Sequence, residues 1–240
     1  MGKIICAGLG PGDPELMSVK SDRVIRNARH LAFFRKKGRA GQARSIVKDM
    51  LREDVVEYPM EYPVTTELRF DSDEYRQLMV DFYEEWTDKL ATLARDRDVV
   101  VLCEGDPFFY GSFMHLHSRL MADYNVEVVP AITGMSGAWT PTNQPITWGD
   151  DVLTVLMGTL PSDELVSRMK STDALVVMKI GRNIDKIRAA YWSSIHGYLL
   201  ESAQDIDSTI VCPWFGDDAG LAGDKILAEE SIFMPQREAF

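Results

Sequence analysis

Short apolar runs recur along the first half of the chain, and each is followed by a more polar stretch. The run DVVVLC has five consecutive apolar residues, which is typical of a parallel strand buried on both faces. Alternation of such strands with helices indicates an α/β fold with a mostly parallel sheet. The predicted strands of this half span residues 3–8, 30–34, 55–57, 98–103 and 126–129.

The clearest helix is predicted at residues 73–95. Apolar side chains recur there every three or four positions, so they share one helix face. That face is formed by Tyr75, Met79, Phe82, Trp86, Leu90 and Leu93. Weaker periodicity predicts two further helices, at residues 16–29 and 42–52.

The regular pattern breaks at residues 141–151, PTNQPITWGDD, which are rich in Pro, Gly, Asn and Asp. This break predicts two α/β domains, residues 1–145 and 146–240, each with a mostly parallel or mixed sheet and flanking helices. The elements predicted after the break are strands at 152–157, 174–178, 197–200 and 209–212 and helices at 163–170 and 183–193.

Charge is distributed unevenly along the 240 residues. The whole chain has a net charge of −11, whereas residues 1–50 hold eleven basic and four acidic side chains, a net +7. An acidic body disfavours non-specific binding of nucleic acid. A local basic patch would suit a small polyanionic ligand, and the alternative interpretation is a solvated helix face.

No apolar stretch approaches the ~18 residues of a membrane span, and the N-terminus lacks the apolar region of a secretory signal. We therefore expect a cytoplasmic protein.

The chain has three cysteines, an odd number, and each lies in or beside an apolar run. This pattern predicts that Cys6, Cys103 and Cys212 are buried free thiols. The cysteines and four histidines do not predict a metal site.

The first candidate ligand loop is GLGPGD, residues 8–13, directly after the first strand. It is not a dinucleotide fingerprint, because Asp13 stands where the third glycine would be and Pro11 lacks an amide donor. No Gly-Lys-Ser/Thr follows, so it is not a phosphate-binding P-loop. A generic tight turn and a ligand-facing loop both remain open.

Two more loops follow strands in the same way. EGDPFFYG, residues 104–111, follows the DVVVLC strand, and PAITGMSGAW, residues 130–139, follows the next strand. Ligands of open parallel sheets bind outside the carboxyl ends of the strands. The alternatives are a turn in which Asp106 caps a helix beginning near Gly111, and small residues that serve close helix–sheet packing.

In this order, the segments GLGPGDPELMSVK, EGDPFFYGSFMHL and VPAITGMSGAW resemble the signature segments of the S-adenosylmethionine-dependent tetrapyrrole methyltransferases. Three further segments resemble those of the branch of this family that methylates precorrin-2 at C20 in cobalamin biosynthesis. They are FFRKKGRAGQARSIV, YPVTTE and GDDVLTVLMGTLP. The resemblance covers essentially the whole chain. It implies two α/β domains with S-adenosylmethionine in the cleft between them, a homodimer, and no metal.

The resemblance also implies site residues. The cofactor site would be formed by Pro11, Glu104, Gly105, Asp106, Thr133, Gly134, Met178 and Ala203. Either carboxylate of the second loop would favour the cationic sulfonium. Tyr62 and Glu67 are candidate catalytic residues only because they lie in a signature-like segment.

Precorrin-2, the substrate that the resemblance implies, carries eight carboxylates, and Arg and Lys bind carboxylates. The predicted anchors are Arg35, Lys36, Lys37, Arg39 and Arg44. Three alternatives remain: the cobalt-containing substrate of the anaerobic pathway, a sibling enzyme of the same fold, and a non-catalytic ligand-binding relative.

Overall fold

A computed structural model of the protein describes residues 2–64, 68, 72–143 and 145–195. The chain divides into two compact units between Gly137 and Ala138. The boundary near residue 145 stays a prediction of the sequence. Glu67, Ala203, Cys212 and the strands predicted at 197–200 and 209–212 lie outside the described residues.

The first unit contains a five-stranded sheet in which every pair of neighbours is parallel. The order across the sheet is β3-β2-β4-β1-β5. The predicted mostly parallel α/β architecture is therefore confirmed for this unit. The strands are β1 (Ile4–Gly8), β2 (His30–Lys36), β3 (Val56–Tyr62), β4 (Val99–Cys103) and β5 (Val126–Val129).

Two strands show how the sequence determines the sheet. Every residue of β4 is buried, as its unbroken apolar run predicts. β3 extends well beyond the predicted 55–57 and includes Pro59. Pro lacks an amide donor, so it is tolerated on an edge strand such as β3. The extension brings Glu61 and Tyr62 into the sheet.

Helices cover both faces of this sheet. α1 (Val19–Asn27) and α2 (Gln42–Ile46) lie on one face, where the core includes Ile25 and Val47. α3 (Asp73–Leu93) and α4 (Phe113–Leu120) cover the other, with Phe82 and Trp86 in the core. The predicted helix at 73–95 is confirmed almost to its ends.

Two predicted helices are shorter than the periodicity suggests. The Ser18 hydroxyl accepts from the Ser21 amide and starts α1 at Val19, while the preceding Pro14–Leu16 forms a separate 3-10 turn capped by Asp13. Beyond Ile46 the backbone continues as turns, so the helix predicted at 42–52 ends early.

The second unit contains a parallel pair of strands, β6 (Leu153–Met157) and β7 (Ala174–Met178). α6 (Ser162–Met169) and α7 (Ile184–Ile195) pack on it through a core that includes Leu165, Ile187 and Tyr191. These elements confirm the strands and helices predicted between residues 152 and 193. A further short helix, α5 (Gly134–Trp139), spans the junction of the two units.

The topology places the candidate loops at one edge of the first sheet. β1 and β4 are neighbours, yet the chain leaves β1 toward α1 on one face and leaves β4 toward α4 on the other. Such a switch point opens a crevice at the carboxyl ends of the two strands, where ligands of open α/β sheets bind. The loop that follows β5 begins at the same edge, because β5 is the other neighbour of β1.

Candidate functional site

The loops after β1 and β4 are joined by their backbones. The Leu9 amide donates to the Cys103 carbonyl and the Gly105 amide donates to the Gly10 carbonyl, both at 2.9 Å. Gly10 and Gly105 have φ of 76° and 61°, in the left-handed region that favours glycine. The two glycines thus let neighbouring strands continue into paired loops at the candidate site.

Asp106 ties the second loop to the third. Its Oδ1 accepts from the Phe108 amide and its Oδ2 accepts from the Ala131 amide, each at 2.9 Å. The alternative in which Asp106 caps the next helix is therefore wrong: α4 is preceded by Ser112, and the carboxylate serves the loop after β5 instead. Both oxygens already accept backbone hydrogen bonds.

The third loop packs closely on the first. The Thr133 hydroxyl lies 3.2 Å from the Ser136 hydroxyl and 3.4 Å from the Ser136 amide, at the start of α5. A Cβ on Gly137 would lie only 2.1 Å from the Cβ of Pro11, so glycine is required there. The first turn of α5 and the Pro11 ring are therefore in direct contact.

Two more close approaches complete the convergence. A Cβ on Gly8 would lie 2.7 Å from the Ala131 Cβ, and a Cβ on Gly105 would lie 3.5 Å from the Gly134 amide nitrogen. Five of the residues predicted to hold the cofactor are therefore gathered at one edge of the sheet. They are Pro11, Gly105, Asp106, Thr133 and Gly134.

Glu104 has a structural contact that its sequence position does not reveal. Its Oε1 accepts from the Ala43 amide at 2.9 Å, at the beginning of α2. The second loop is thereby linked to the basic segment after β2. Each carboxylate predicted to face the sulfonium thus binds at least one backbone amide.

The basic segment is partly neutralised within the fold. Arg35 Nη2 lies 2.7 Å from Glu61 Oε1, and Arg44 donates from Nε and Nη2 to the two carboxylate oxygens of Glu57, each at 2.8 Å. Both glutamates belong to β3. The strand predicted from the sequence ended before Glu61. Arg35 and Arg44, both predicted anchors, therefore pair with acidic side chains of β3.

The other three anchors lie on the turn that ends β2. The Arg39 amide donates to the Lys36 carbonyl at 3.0 Å, and Gly38 has φ of 77°, which this tight turn requires. Lys37 and Arg39 are exposed. This turn is at the carboxyl edge of the sheet, the same edge as the three loops.

Tyr62 is the last residue of β3, and its ring stacks on Phe34 at 5.5 Å between centroids. Its hydroxyl lies 2.5 Å from the Ser112 hydroxyl. Burial raises the pKa of Tyr62 well above its ordinary value, and nearby Tyr83 adds to the rise. A phenol held neutral is a hydrogen-bond donor or acceptor rather than a strong base. Ser112, its partner, was missed because fifty residues of sequence separate them.

Tyr83, on α3, lies in the same cluster. Because its phenol is buried, we expect the stability of the protein to depend on pH. Burial, more than its neighbours, raises the pKa of Tyr83 from 10 to about 12. Between these values the folded state binds the proton more tightly than the unfolded state. The protonated Tyr83 phenol therefore contributes fully to the free energy of unfolding below about pH 10. This contribution is lost as the pH rises toward 12, at up to ~1.4 kcal/mol per pH unit.

Urea unfolding of wild type and Tyr83→Phe at pH 9 and at pH 11 measures this effect. We expect the free energy of unfolding to fall less steeply with pH in the variant, because it lacks the titrating phenol. Equal slopes in the two proteins would contradict the assignment to Tyr83.

Sequence reasoning also missed Ser21. This fully buried side chain on α1 donates from Oγ to the Gly8 carbonyl at 2.8 Å. It thereby fixes the end of β1 where the first loop begins. A serine on the buried face of a predicted helix is a visible signal, because a buried hydroxyl needs a hydrogen-bond partner.

Met178 belongs to the second unit, as the last residue of β7. Its carbonyl accepts from the Gly158 amide at 2.7 Å, and Lys179 then turns the chain with φ of 55°. Its predicted role in cofactor binding stays a prediction.

Cys6 and Cys103 are buried and free, as predicted. In the described part of the chain, no three or more His, Cys, Asp or Glu side chains are grouped so that they could hold a metal ion. The helices of that part include none that is both long and apolar enough to span a membrane.

Comparison with known proteins defines the class to which this chain and its fold belong. Residues 3–201 match the family described as Tetrapyrrole (Corrin/Porphyrin) Methylases. The chain belongs to this family, and the resemblance seen in the sequence is confirmed.

Two relatives indicate the branch within the family. The chain is 49% identical to the precorrin-2 C(20)-methyltransferase of Sinorhizobium sp over 195 residues, 81% of this chain and 80% of the relative. It is 25% identical to the cobalt-precorrin-2 C(20)-methyltransferase of Salmonella typhimurium over 193 residues, 78% of this chain and 77% of the relative.

Solved structures of the family share the fold. The X-ray structure of a cobalt precorrin-4 methyltransferase matches with a TM-score of 0.59 at 20% identity, over 80% of this chain and 74% of that one. The uroporphyrin-III C-methyl transferase from Thermus thermophilus, in complex with S-adenosyl homocysteine, matches with a TM-score of 0.51 at 19% identity, over 80% and 72%. These likenesses confirm the predicted fold class.

Proposed function

We propose that this protein transfers a methyl group from S-adenosylmethionine to C20 of precorrin-2, giving precorrin-3A. The observation that carries the proposal is the 49% identity to a precorrin-2 C(20)-methyltransferase across four-fifths of both chains. The convergence of three loops at the carboxyl edge of the sheet supports it, because it offers a built ligand site.

The cofactor would bind against these loops. Pro11, Gly105 and Gly134 offer backbone and small apolar surfaces, which suit an adenosyl group and a thioether. Asp106 and Thr133 hold the loops in place through hydrogen bonds to backbone amides. A relative of the same fold is known in complex with S-adenosyl homocysteine, the product of this cofactor.

Methyl transfer depends mainly on the position of the reacting carbon relative to the methyl group. The C20 carbon attacks the sulfonium methyl in line, the methyl–sulfur bond breaks with its electron pair passing to sulfur, and the proton of C20 is released to water or a base. Holding the reacting atoms ~3–3.5 Å apart and in line can supply a large part of the acceleration. The raised pKa of Tyr62, caused mainly by its burial, argues against that residue as the base.

The basic turn after β2 would recognise the substrate carboxylates. Lys36, Lys37 and Arg39 lie at the edge where the ligand is expected. Arg35 and Arg44 bind Glu61 and Glu57, and we assign to them the role of holding β2, α2 and β3 together. We assign to the turn, because of its place at this edge, the role of substrate anchor.

The triple variant Lys36→Gln, Lys37→Gln, Arg39→Gln is expected to raise the Michaelis constant for the tetrapyrrole and to leave the affinity for S-adenosylmethionine nearly unchanged. Each exposed ion pair contributes only ~0.2–1 kcal/mol. The loss of three such pairs is therefore expected to raise the Michaelis constant by about threefold to a hundredfold. Higher salt should weaken the wild type more than the variant, because screening acts on the removed charges.

The matched control is Arg29→Gln, Arg52→Gln, Arg95→Gln. It removes the same charge from exposed residues near the opposite, amino edge of the sheet. If the control raises the Michaelis constant as much as the test variant, the effect is net charge and the turn is a solvated face.

The cobalt-containing substrate is the nearest alternative within the family. The lower identity to the cobalt-precorrin-2 enzyme, 25% against 49%, favours the metal-free substrate. Initial rates with metal-free and cobalt-loaded precorrin-2 test this directly. A clear preference for the cobalt form would overturn the proposed substrate.

We further propose that the protein is a cytoplasmic homodimer, as the family resemblance implies.

A further inference from the structure

The loop after β4, residues 104–111, is held at both of its ends. At its beginning, the Gly105 amide donates to the Gly10 carbonyl at 2.9 Å. At its end, the hydroxyl of Ser112, the residue before α4, lies 2.5 Å from the Tyr62 hydroxyl. The first contact lies within the proposed cofactor site, whereas the second connects this loop to β3.

The contact between Ser112 and Tyr62 reaches across a strand. β3 and β4 are not neighbours in the sheet, because β2 lies between them. The Tyr62 ring stacks on Phe34 of β2, with 15° between the ring planes, so its hydroxyl passes over β2 to reach Ser112. Ladder hydrogen bonds join only neighbouring strands. The two hydroxyls therefore supply a direct link between the end of β3 and the loop that follows β4.

The two hydroxyls belong to segments with different proposed roles. In the register of β2 and β3, Tyr62 lies opposite Lys36, the first residue of the basic turn. Ser112 directly follows the loop in which Asp106 binds the Ala131 amide at 2.9 Å. The hydrogen bond therefore connects the proposed substrate anchor with the proposed cofactor loop.

The chain is tightly packed on both sides of Ser112. Pro107 is buried, and a Cβ on Gly111 would lie 2.8 Å from the Pro107 carbonyl oxygen and 3.0 Å from Cys103 Sγ. Phe113, which follows Ser112, is fully buried in the core. Packed interiors transmit a displacement rather than absorb it. A shift of Ser112 is therefore expected to move the loop as well.

The pair also lies in a packed aromatic cluster. The centroids of the Tyr62 and Phe82 rings are 5.2 Å apart. Ser112 and Tyr62 both interact with the Tyr83 phenol: burial raises its pKa to about 12, and hydrogen bonding with these two residues opposes the rise. Hydrogen bonds in such surroundings are stronger than in water, so they fix the positions of the groups that they join.

We propose that Ser112 is a positioning residue, which acts through Tyr62 to set the distance between the proposed cofactor loop and the proposed substrate anchor. This inference rests on the proposed function and adds a residue that aligns its two ligands. In-line transfer needs the reacting carbon and the methyl group ~3–3.5 Å apart. Each ligand is bound by its own segment, whereas the hydroxyl pair determines how the two segments are placed. Its loss should therefore slow methyl transfer more than it weakens the binding of either ligand.

Steady-state kinetics of Ser112→Ala with precorrin-2 test this role. We expect kcat to fall by about tenfold to a hundredfold, because a misplacement of ~1 Å can cost about a hundredfold in rate. The Michaelis constant for precorrin-2 and the dissociation constant of S-adenosylmethionine should change by no more than about threefold, as for a contact that matters in the transition state. Ser112→Thr keeps the hydroxyl and should retain most of the wild-type kcat.

The matched control is Ser118→Ala, which removes a hydroxyl from the exposed side of α4. Ser118 donates to the His115 carbonyl of its own helix at 3.1 Å, so this variant should keep wild-type kinetics. Tyr62→Phe removes the same hydrogen bond from its other end while keeping the stacked ring. It should lower kcat by the same factor as Ser112→Ala, and the double variant should fall no further. Urea unfolding verifies that each variant is folded, and Tyr62→Phe tests the bond if Ser112→Ala is not.

Three results would overturn the positioning role. The first is a wild-type kcat in a folded Ser112→Ala or Tyr62→Phe variant. The second is a loss of S-adenosylmethionine affinity as large as the loss of kcat, which would place Ser112 in cofactor binding. The third is additive effects of the two substitutions, which would mean that each residue acts by itself. Failure of the proposed function is recognised separately, because wild type would then transfer no methyl group to C20 of precorrin-2.

Discussion

Gly137→Ala is expected to lower the affinity for S-adenosylmethionine by about tenfold to a hundredfold. Alanine inside a helix normally stabilises it by up to ~1 kcal/mol relative to glycine. Here the new Cβ would lie 2.1 Å from Cβ and 2.8 Å from Cγ of Pro11, so the first loop must move. Forcing extra carbon atoms into a packed contact costs about 1–3 kcal/mol, which corresponds to a factor of roughly five to 150, and the expected loss in affinity lies within that range.

Calorimetric titration with S-adenosylmethionine measures the loss, and Pro11→Gly supplies the matched control because it removes both colliding atoms. Pro11→Gly alone should weaken binding, whereas adding Gly137→Ala to it should cost little more. Such non-additivity is the signature of two residues in direct contact. Additive effects would show that Gly137 does not act through Pro11.

Asp106→Ala is expected to weaken cofactor binding by about tenfold or more while the protein stays folded. The substitution removes the acceptor of two amides, those of Phe108 and Ala131, and so releases the second loop from the third. Leaving a partly buried amide without its partner costs ~1–3 kcal/mol. Asp106→Asn should be intermediate, because its amide oxygen accepts at only one of the two positions.

Comparison of two ligands distinguishes the possible roles of this carboxylate. S-adenosylmethionine carries a cationic sulfonium and S-adenosyl homocysteine a neutral thioether. Because both oxygens of Asp106 bind amides, we expect the two affinities to fall by the same factor in Asp106→Ala. A much larger loss for the cationic ligand would mean that the carboxylate acts on the sulfonium directly. Unchanged affinity and activity would remove Asp106 from the site.

Elements dictated by local pattern were predictable from the sequence. The apolar run of β4 and the periodic face of α3 define their own burial, and both formed as expected. β3 was predicted too short because Pro59 interrupts its pattern. Only the strand order, which places β3 at the edge of the sheet, explains why a proline is accepted there.

The candidate site shows the same division between local and long-range information. Glycines and polar residues after three apolar runs predicted which loops would meet. The partners of the functional side chains were not predictable, because Glu104 reaches Ala43 and Tyr62 reaches Ser112 across fifty residues or more. Those pairings depend on sheet order and register, which periodicity does not determine.

The most direct test of the proposed function is transfer of a ¹³C-labelled methyl group. The protein is incubated with S-adenosylmethionine labelled in its methyl group and with precorrin-2, and the product is examined by mass spectrometry and carbon NMR. We expect one new methyl group, bonded to C20, and one S-adenosyl homocysteine formed per molecule of product. A labelled methyl on any other atom of the macrocycle, or no transfer by a protein that binds both ligands, would contradict the proposal.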